Sequence, residues 1–132
     1  MDLPLVSFEL KENYLLVVGH GKRDSLTSMA QASKLIYEKV LEAGSRYLLV
    51  DYRNLQIQVH LSEAFNIVKR YEAVQPELKK LKIAAVFTEP GMNFGQYWKD
   101  IGRQRGFFIE IFEDYAAAEN WLHEQMQNEE KS

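Results

Sequence analysis

Three residues that could bind or react follow one another around the end of a predicted buried strand. Asp51 comes directly after the apolar run Tyr47–Val50, and His60 and Ser62 follow a short loop at the start of a helical pattern. In open α/β sheets, ligands bind outside the carboxyl ends of the strands. Asp51 could therefore receive a ligand, or it could form a turn by bonding its own backbone. Ser62 could be the N-cap of the helix or a phosphorylation site.

A second group of candidates lies on the predicted helix Phe94–Arg105. Tyr97 and Arg103 belong to a mixture of aromatic and cationic side chains that also includes Trp98 and Lys99. Such a mixture can stack on or clamp an anionic aromatic ligand. Trp98 falls on the apolar stripe and is expected in the core. The alternative for Tyr97 and the cations is a solvated helix face.

Lys22 and Arg23 mark a candidate anion site in the turn between a strand and a helix. The turn contains Gly19 and Gly21, and glycines allow backbone amides to approach an anion at a helix N-terminus. A P-loop is excluded, because it requires a glycine where this sequence has Leu16 and a serine or threonine where it has Arg23. The alternative is an ordinary capped turn.

Other chemistry has little support in the sequence. Cysteine is absent, and His20, His60 and His123 lie on separate predicted elements without the close spacing of a metal-binding helix. There is no GxSxG motif of a serine hydrolase. We therefore predict no metal and no cofactor. A non-enzymatic domain is favoured over an enzyme that uses Asp51, His60 or the helix cations in a cleft at the strand ends.

The elements that position these candidates follow from apolar periodicity. Val6–Leu10 alternates like an edge strand, whereas Tyr14–Val18 and Tyr47–Val50 are apolar throughout, which is typical of strands covered on both faces. Three-and-four spacing predicts helices between them, with Leu26, Leu41 and Phe65 among the inward side chains. The later strands are predicted at Tyr14–Val18, Tyr47–Val50, Lys82–Thr88 and Phe107–Phe112.

This order, ββαβαβαβα, predicts an α/β fold with a mixed, mostly parallel five-stranded sheet and about four helices. A ferredoxin-like sheet is the less favoured alternative, because it would leave one sheet face bare. We find no repeat or linker and expect residues 1–132 to form a single domain. Residues 127–132 lack an apolar pattern and are expected to be a frayed tail.

Charge and hydropathy narrow the classes of partner. The net charge is -3, but the segment from Glu110 onward carries seven acidic residues and one lysine, so the remainder is weakly basic. The positive charge of this remainder is far below what nucleic-acid binding requires. The asymmetry and the edge strand make a homodimer conceivable. We expect no signal peptide and no transmembrane segment, and the lack of cysteine is compatible with a cytoplasmic location.

Several segments resemble the STAS superfamily, and more closely its SpoIIAA-like branch. The resemblance covers about Phe8 to Leu122. It rests on the strand and turn Tyr14–Gly21, on RYLLVDYRN and KIAAVF, and above all on RGFFIEIFEDYAAAENWL, which resembles the closing strand and helix of that branch. It implies the fold of anti-sigma-factor antagonists, which are non-enzymatic regulators with protein partners.

The resemblance also carries an expectation about regulation. In the antagonists, a serine or threonine at the start of helix two, within an Asp-Ser-Ser/Thr-Gly segment, is phosphorylated by the anti-sigma kinase. Here Asp51 matches the strand-ending aspartate of the family, but the phosphorylated segment falls on Val59–Leu61, and Ser62 comes later, before Glu63 instead of glycine. The intact switch motif is therefore missing.

The SpoIIAA-like branch is also likened to lipid-transfer domains of the CRAL-TRIO type. This implies an apolar ligand in a groove near helices two and three. Together, the residues and the resemblance predict a regulatory or ligand-binding domain whose ligand is small and either apolar or anionic. The alternatives are the enzyme described above and a carrier of lipids.

Overall fold

Two strands, followed by helices and strands in alternation, form the fold. The computed structural model describes residues 5–130. The strands are β1 (Val6–Leu10), β2 (Leu15–Gly19), β3 (Lys22–Arg23), β4 (Tyr47–Asp51), β5 (Gln56–Ile57), β6 (Lys82–Val86) and β7 (Phe108–Phe112). The helices are α1 (Leu26–Ala43), α2 (Ser62–Val74), α3 (Met92–Gln104) and α4 (Tyr115–Glu130), and a 3₁₀ helix spans Pro76–Lys80.

The main sheet has five strands in the order β1-β2-β4-β6-β7. Only its β1–β2 pair is antiparallel. Helices α1–α3 pack on one face, against side chains such as Val17 and Val50, and α4 packs on the other, against Leu16 and Leu49. Because both faces are covered, the central strands are apolar at successive positions. The predicted mixed, mostly parallel α/β sheet is confirmed, and the ferredoxin-like alternative is wrong.

Local sequence signals mark both ends of α1 and the start of α4. The Ser25 hydroxyl accepts a hydrogen bond from the Ser28 backbone N–H and caps α1. Gly44 closes the same helix with a φ of 65°, a left-handed conformation that costs glycine little. Asp114 accepts a hydrogen bond of 2.9 Å from the Ala116 N–H at the start of α4.

The short strands β3 and β5 were not predicted. They pair in parallel and form a small second sheet, in which the Gln58 N–H donates to the Arg23 carbonyl over 2.8 Å. Each has two residues, which is too short for an alternating pattern to appear in the sequence. The pairing fixes the turn before α1 against the loop after β4.

Three predicted inward side chains are exposed, so those predictions are wrong. Leu26 and Leu41 lie near the ends of α1, whose 18 residues span about 27 Å, whereas the five-residue strands beneath it span about 17 Å. The ends of the helix therefore project beyond the sheet. Phe65 on α2 is 38% exposed, and the cations of Lys69 and Arg105 lie 5.6 Å and 5.1 Å from its ring centre.

The last helix continues further than its apolar pattern suggests. Residues 127–130, expected in the frayed tail, belong to α4. The Tyr47 hydroxyl donates a hydrogen bond to the Glu129 carboxylate, which holds this part of the helix against β4. Residues 131–132 of the predicted tail lie outside the described residues.

Candidate ligand pocket

An apolar cavity of about 90 Å³ lies between the main sheet and helices α1–α3. Side chains alternate along a strand, so β4 and β6 direct every second residue into this space. For comparison, an engineered cavity of about 150 Å³ binds benzene. The cavity is therefore smaller than the benzene site and, at about 30 Å³ per atom, suits a ligand whose apolar part has about three non-hydrogen atoms. Its apolar wall includes Ala32, Ile36, Leu48, Val50, Ile67 and Ile83.

Two glycines allow aromatic rings to form part of the wall. A Cβ atom on Gly19 would lie 2.6 Å from Cδ1 of Tyr52, and one on Gly95 would lie 2.8 Å from Cδ2 of Phe87. Contacts this short cannot be accommodated without moving the rings. The two glycines therefore set the position of the Tyr52 and Phe87 rings beside the cavity.

The aromatic side chains contact one another edge to face. The Phe87 ring centre lies 5.6 Å from that of Tyr52 and 6.1 Å from that of Trp98. The Tyr71 ring meets Phe107 in the same manner at 5.6 Å. Such contacts stabilise a defined ring orientation. Trp98 is buried, as predicted, and also lines the cavity.

Arg23 is the charged residue in the cavity wall and is only 4% exposed. Its Nη1 donates to the carbonyls of His20 (2.9 Å) and Lys22 (3.2 Å), and its Nη2 donates to the carbonyl of Leu5 (2.8 Å). Among residues 5–130, no carboxylate forms an ion pair with it. Burial lowers the pKa of the guanidinium. Within the described part of the chain, the buried charge of Arg23 is therefore compensated by backbone carbonyls.

Two tyrosine hydroxyls add polarity to the same wall. The Tyr71 hydroxyl accepts a hydrogen bond of 3.3 Å from Nε1 of Trp98. Burial raises the pKa of Tyr52 to about 12, and the charge of Arg23 opposes this rise. Burial and the neighbouring Tyr52 raise the pKa of Tyr71. Both tyrosines are therefore neutral hydrogen-bond donors at physiological pH.

Ser33 is the remaining polar residue of the wall, and its hydroxyl is already engaged. It donates a hydrogen bond of 2.6 Å to the side-chain oxygen of Gln75, and both residues are buried. Gln75 lies between α2 and the 3₁₀ helix, so this bond ties that junction to α1. Ser33 has a structural partner and is a weaker ligand candidate than Arg23.

Asp51 forms the turn at the end of β4. Its carboxylate accepts hydrogen bonds from Arg53, at 2.9 Å from Nε, 2.8 Å from Nη2 and 3.2 Å from the backbone N–H. Burial would raise the pKa of the carboxyl, but the bonds from Arg53 hold it below its usual range. Asp51 is not part of the cavity wall. Its geometry matches the turn-forming alternative of the sequence analysis.

His60 and Ser62 contact each other on the surface. Nδ1 of His60 lies 2.9 Å from Oγ of Ser62 and accepts a hydrogen bond of 3.2 Å from the Ser62 N–H. Ser62 is the first residue of α2, and Leu61 occupies the cap position, so the predicted N-cap role is wrong. No hydrogen bond within the described part of the chain joins this pair to a carboxylate.

Tyr97 and Arg103 lie away from the cavity. Tyr97 is exposed. Nε of Arg103 donates to the Ile109 carbonyl (2.6 Å), and its Nη2 donates to Glu110 (3.1 Å), which also pairs with Lys99 at 2.8 Å. Burial would raise the pKa of Glu110, but the bond from Lys99 holds it low. The structure thus places Arg103 in an ion-pair network that joins α3 to the edge strand β7.

Lys22 and Arg23 were predicted to form one anion site, but their side chains lie on opposite faces of β3. Lys22 is exposed, whereas the next side chain of β3 points inward, as alternation requires. The pair therefore does not form one surface anion site; Arg23 faces the interior instead.

Sequence reasoning missed Tyr52 and Tyr71 as a polar pair. The detectable signal was that Tyr52 follows Asp51 at the strand end, and that Tyr71 lies on the inner face of helix two.

Within residues 5–130, no group of three or more histidine, aspartate or glutamate side chains could hold a metal ion. No helix in the same range combines the length and the apolar character of a membrane span.

Comparison with solved structures identifies the fold. No family model and no curated protein matches the sequence. An uncharacterized protein with a SpoIIAA-like fold from Shewanella loihica matches with a TM-score of 0.54 and 19% identity, over 92% of this chain and 98% of that chain. An anti-sigma factor antagonist from Mycobacterium paratuberculosis matches with a TM-score of 0.62 and 13% identity, over 89% and 92%. The chain has a SpoIIAA-like fold.

The SpoIIAA-like fold confirms the structural part of the resemblance seen in the sequence. In this SpoIIAA-like domain, Val59–Leu61 directly precede α2. The cavity lies on the sheet face that α2 and α3 cover. At identities below 20%, these structural similarities establish the shared fold and nothing more. The case for a function therefore rests on the cavity itself.

Proposed function

We propose that this chain is a non-enzymatic ligand-binding domain with a regulatory role, whose ligand occupies the cavity between the sheet and α1–α3. The observation that carries the proposal is the cavity itself, about 90 Å³ within an otherwise packed core. Protein interiors contain few voids larger than a water molecule. An empty apolar cavity of this size costs about 2 kcal/mol of stability, at about 24 cal/mol per Å³. A ligand that fills it recovers that cost.

The regulatory part of the proposal rests on α2. Its inner face contributes Ile67 and Tyr71 to the cavity, and its outer face exposes Leu61 and Phe65. A ligand that shifts α2 therefore changes a surface that a protein partner can contact. The antagonist from Mycobacterium paratuberculosis, which shares the fold, is named for its action on an anti-sigma factor. This supports a protein partner for the present domain.

Two alternatives have less support. A hydrolytic enzyme would use the contact between His60 and Ser62, but neither residue lines the cavity. A carrier of long-chain lipids would need a larger site, since pockets for drug-sized ligands span about 300–1,000 Å³. The present cavity favours a small ligand.

Native mass spectrometry tests the proposal. Protein purified from its own cells under mild conditions should carry a small non-protein mass that denaturation releases. Ala32→Leu, which fills the cavity, should remove that mass, whereas Ser62→Ala should retain it. Equal occupancy of the wild type and Ala32→Leu, or loss in Ser62→Ala alone, would contradict the proposed site.

A further inference from the structure

We infer that the ligand of this cavity is a short-chain carboxylate, with its apolar chain against the aliphatic wall and its carboxylate between Arg23 and the hydroxyls of Tyr52 and Tyr71. This inference rests on the proposed function, because it names the class of ligand for the same cavity. Three features of the wall carry it: a buried charge without a counter-ion among residues 5–130, unused hydrogen-bond donors, and a small volume.

The charge comes from Arg23. A buried cation is costly unless an opposite charge or several hydrogen bonds compensate it. Three backbone carbonyls accept hydrogen bonds from Arg23, and the ion pairs found among residues 5–130 do not include it. In an apolar surrounding of low dielectric constant, the attraction between a guanidinium and an anion is stronger than in water. The wall is therefore built to favour an anion over a neutral or cationic ligand.

Unused donors remain on the same wall. The Nε–H and one Nη2–H of Arg23 have no hydrogen-bond partner among residues 5–130, and neither does the hydroxyl of Tyr52. The Tyr71 hydroxyl accepts from Trp98 and keeps its own proton free to donate. Every fully enclosed side-chain N or O atom in the described range has a partner. Nε of Arg23 and the hydroxyl of Tyr52, which lack partners in this range, are therefore not fully enclosed.

The three groups line the same cavity wall. The charge of Arg23 opposes the rise that burial causes in the pKa of Tyr52, and Tyr52 adds to the rise that burial causes in the pKa of Tyr71. An acceptor placed among them can receive hydrogen bonds from the guanidinium and from a hydroxyl at once. Carboxylate oxygens accept several hydrogen bonds, and charge-assisted bonds are about twice as strong as neutral ones.

The remaining wall defines the rest of the ligand. It consists of aliphatic and aromatic side chains such as Ile36, Val50, Ile67 and Phe87. A strongly hydrated dianion such as inorganic phosphate would leave most of its oxygens against these apolar groups, which is unfavourable. With about 90 Å³ available, three alkyl carbons at about 30 Å³ each match the apolar space, and butyrate has three alkyl carbons beyond its carboxylate.

Isothermal titration calorimetry with butyrate, butyramide, butylammonium and inorganic phosphate tests the inference. We expect butyrate to bind at least about tenfold more tightly than butyramide, because hydrogen bonds to charged groups are the stronger class. Butylammonium and phosphate should not bind measurably. Tyr52→Phe should weaken butyrate binding about tenfold and leave the melting temperature within about 2 °C, since the hydroxyl has no partner to lose.

Arg23 needs a variant that keeps the fold. Arg23→Met should abolish the preference for butyrate over butyramide, and Arg23→Lys should retain part of it; circular dichroism and melting temperature show whether each variant folds. Lys22→Ala is the matched control, because Lys22 is the neighbouring cation but is exposed, and it should change no affinity. If Arg23→Met fails to fold, two other results test the carboxylate inference. They are the effect of Tyr52→Phe on butyrate binding and the preference of the wild type for butyrate over butyramide.

The possible failures are distinguishable. Equal binding of butyrate and butyramide, unaffected by Tyr52→Phe, would overturn the carboxylate inference and leave the ligand cavity in place. Tighter binding of phosphate than of butyrate would also overturn the inference. If none of the four compounds binds and the purified protein carries no small molecule, both the inference and the proposed function fail.

Discussion

Ala32→Leu should stabilise the protein, whereas the same substitution at Ala118 should destabilise it. Both alanines are buried in helices, Ala32 in α1 and Ala118 in α4. Ala32 lines the cavity, but Ala118 lies in the packed cluster on the opposite face of the sheet. Because the two substitutions are identical, helix propensity affects them equally. Their difference therefore reports the free space around each site.

The expected size of the difference follows from the volumes. Leucine adds three carbon atoms, and at about 30 Å³ each, close to the share of a water molecule in the liquid, they match the cavity. Burying them gains about 0.8 kcal/mol per carbon, and cavity filling in practice yields about 0.5–2 kcal/mol. At Ala118, the added carbons meet close packing and cost about 1–3 kcal/mol. We expect the two free energies of unfolding to differ by about 2–4 kcal/mol.

Urea denaturation followed by circular dichroism measures both free energies. Ala32→Leu should have a higher midpoint than the wild type with an unchanged slope, and Ala118→Leu should have a lower one. If Ala32→Leu is destabilised as strongly as Ala118→Leu, the space beside α1 is not available, and the account of the cavity is refuted.

Two further predictions concern residues outside the cavity. Because the folded-state pKa of Asp51 is depressed by Arg53, its contribution is present above the unfolded pKa of about 4 and is lost as the pH falls through the lower folded pKa. Asp51→Asn should therefore lower the free energy of unfolding by about 0.5–1 kcal/mol at pH 7, a small effect because the pair is partly exposed. In thermal melts, the difference between this variant and the wild type should vanish near pH 2. A difference that stays constant with pH would contradict the role of Arg53. Gly44→Ala should cost about 1 kcal/mol because φ is 65° there, and a neutral result in urea denaturation would show that the cap is not left-handed in solution.

The sequence predicted the main sheet well because its signals are local. The continuous apolar runs of β4 and β6 need cover on both faces, and Gly44 ends α1 by a conformational preference of its own. Pairing between β3 and β5 depends instead on a contact across more than thirty residues. Two residues are too few to carry a periodic signal.

The candidate site was less predictable for a related reason. Asp51, His60 and Ser62 stand out because polar residues at a strand end are visible in the sequence, but they bond to near neighbours. The role of Arg23 depends on the distant Leu5 carbonyl and on side chains from three helices. Such convergence is a property of tertiary packing, and neither residue type nor spacing reveals it.

The central claim, that a cavity open to a small ligand lies between the sheet and α1–α3, is tested most directly by methyl NMR under xenon pressure, on protein freed of any bound small molecule by denaturation and refolding. Xenon enters dry apolar cavities. The isoleucines that line this cavity should shift, namely Ile36, Ile57, Ile67, Ile83 and Ile109. Ile101 and Ile111, which are buried but do not line the cavity, should not shift. The account also predicts that Ala32→Leu abolishes the shifts. Shifts of all isoleucines alike, or no shifts in the wild type, would contradict it.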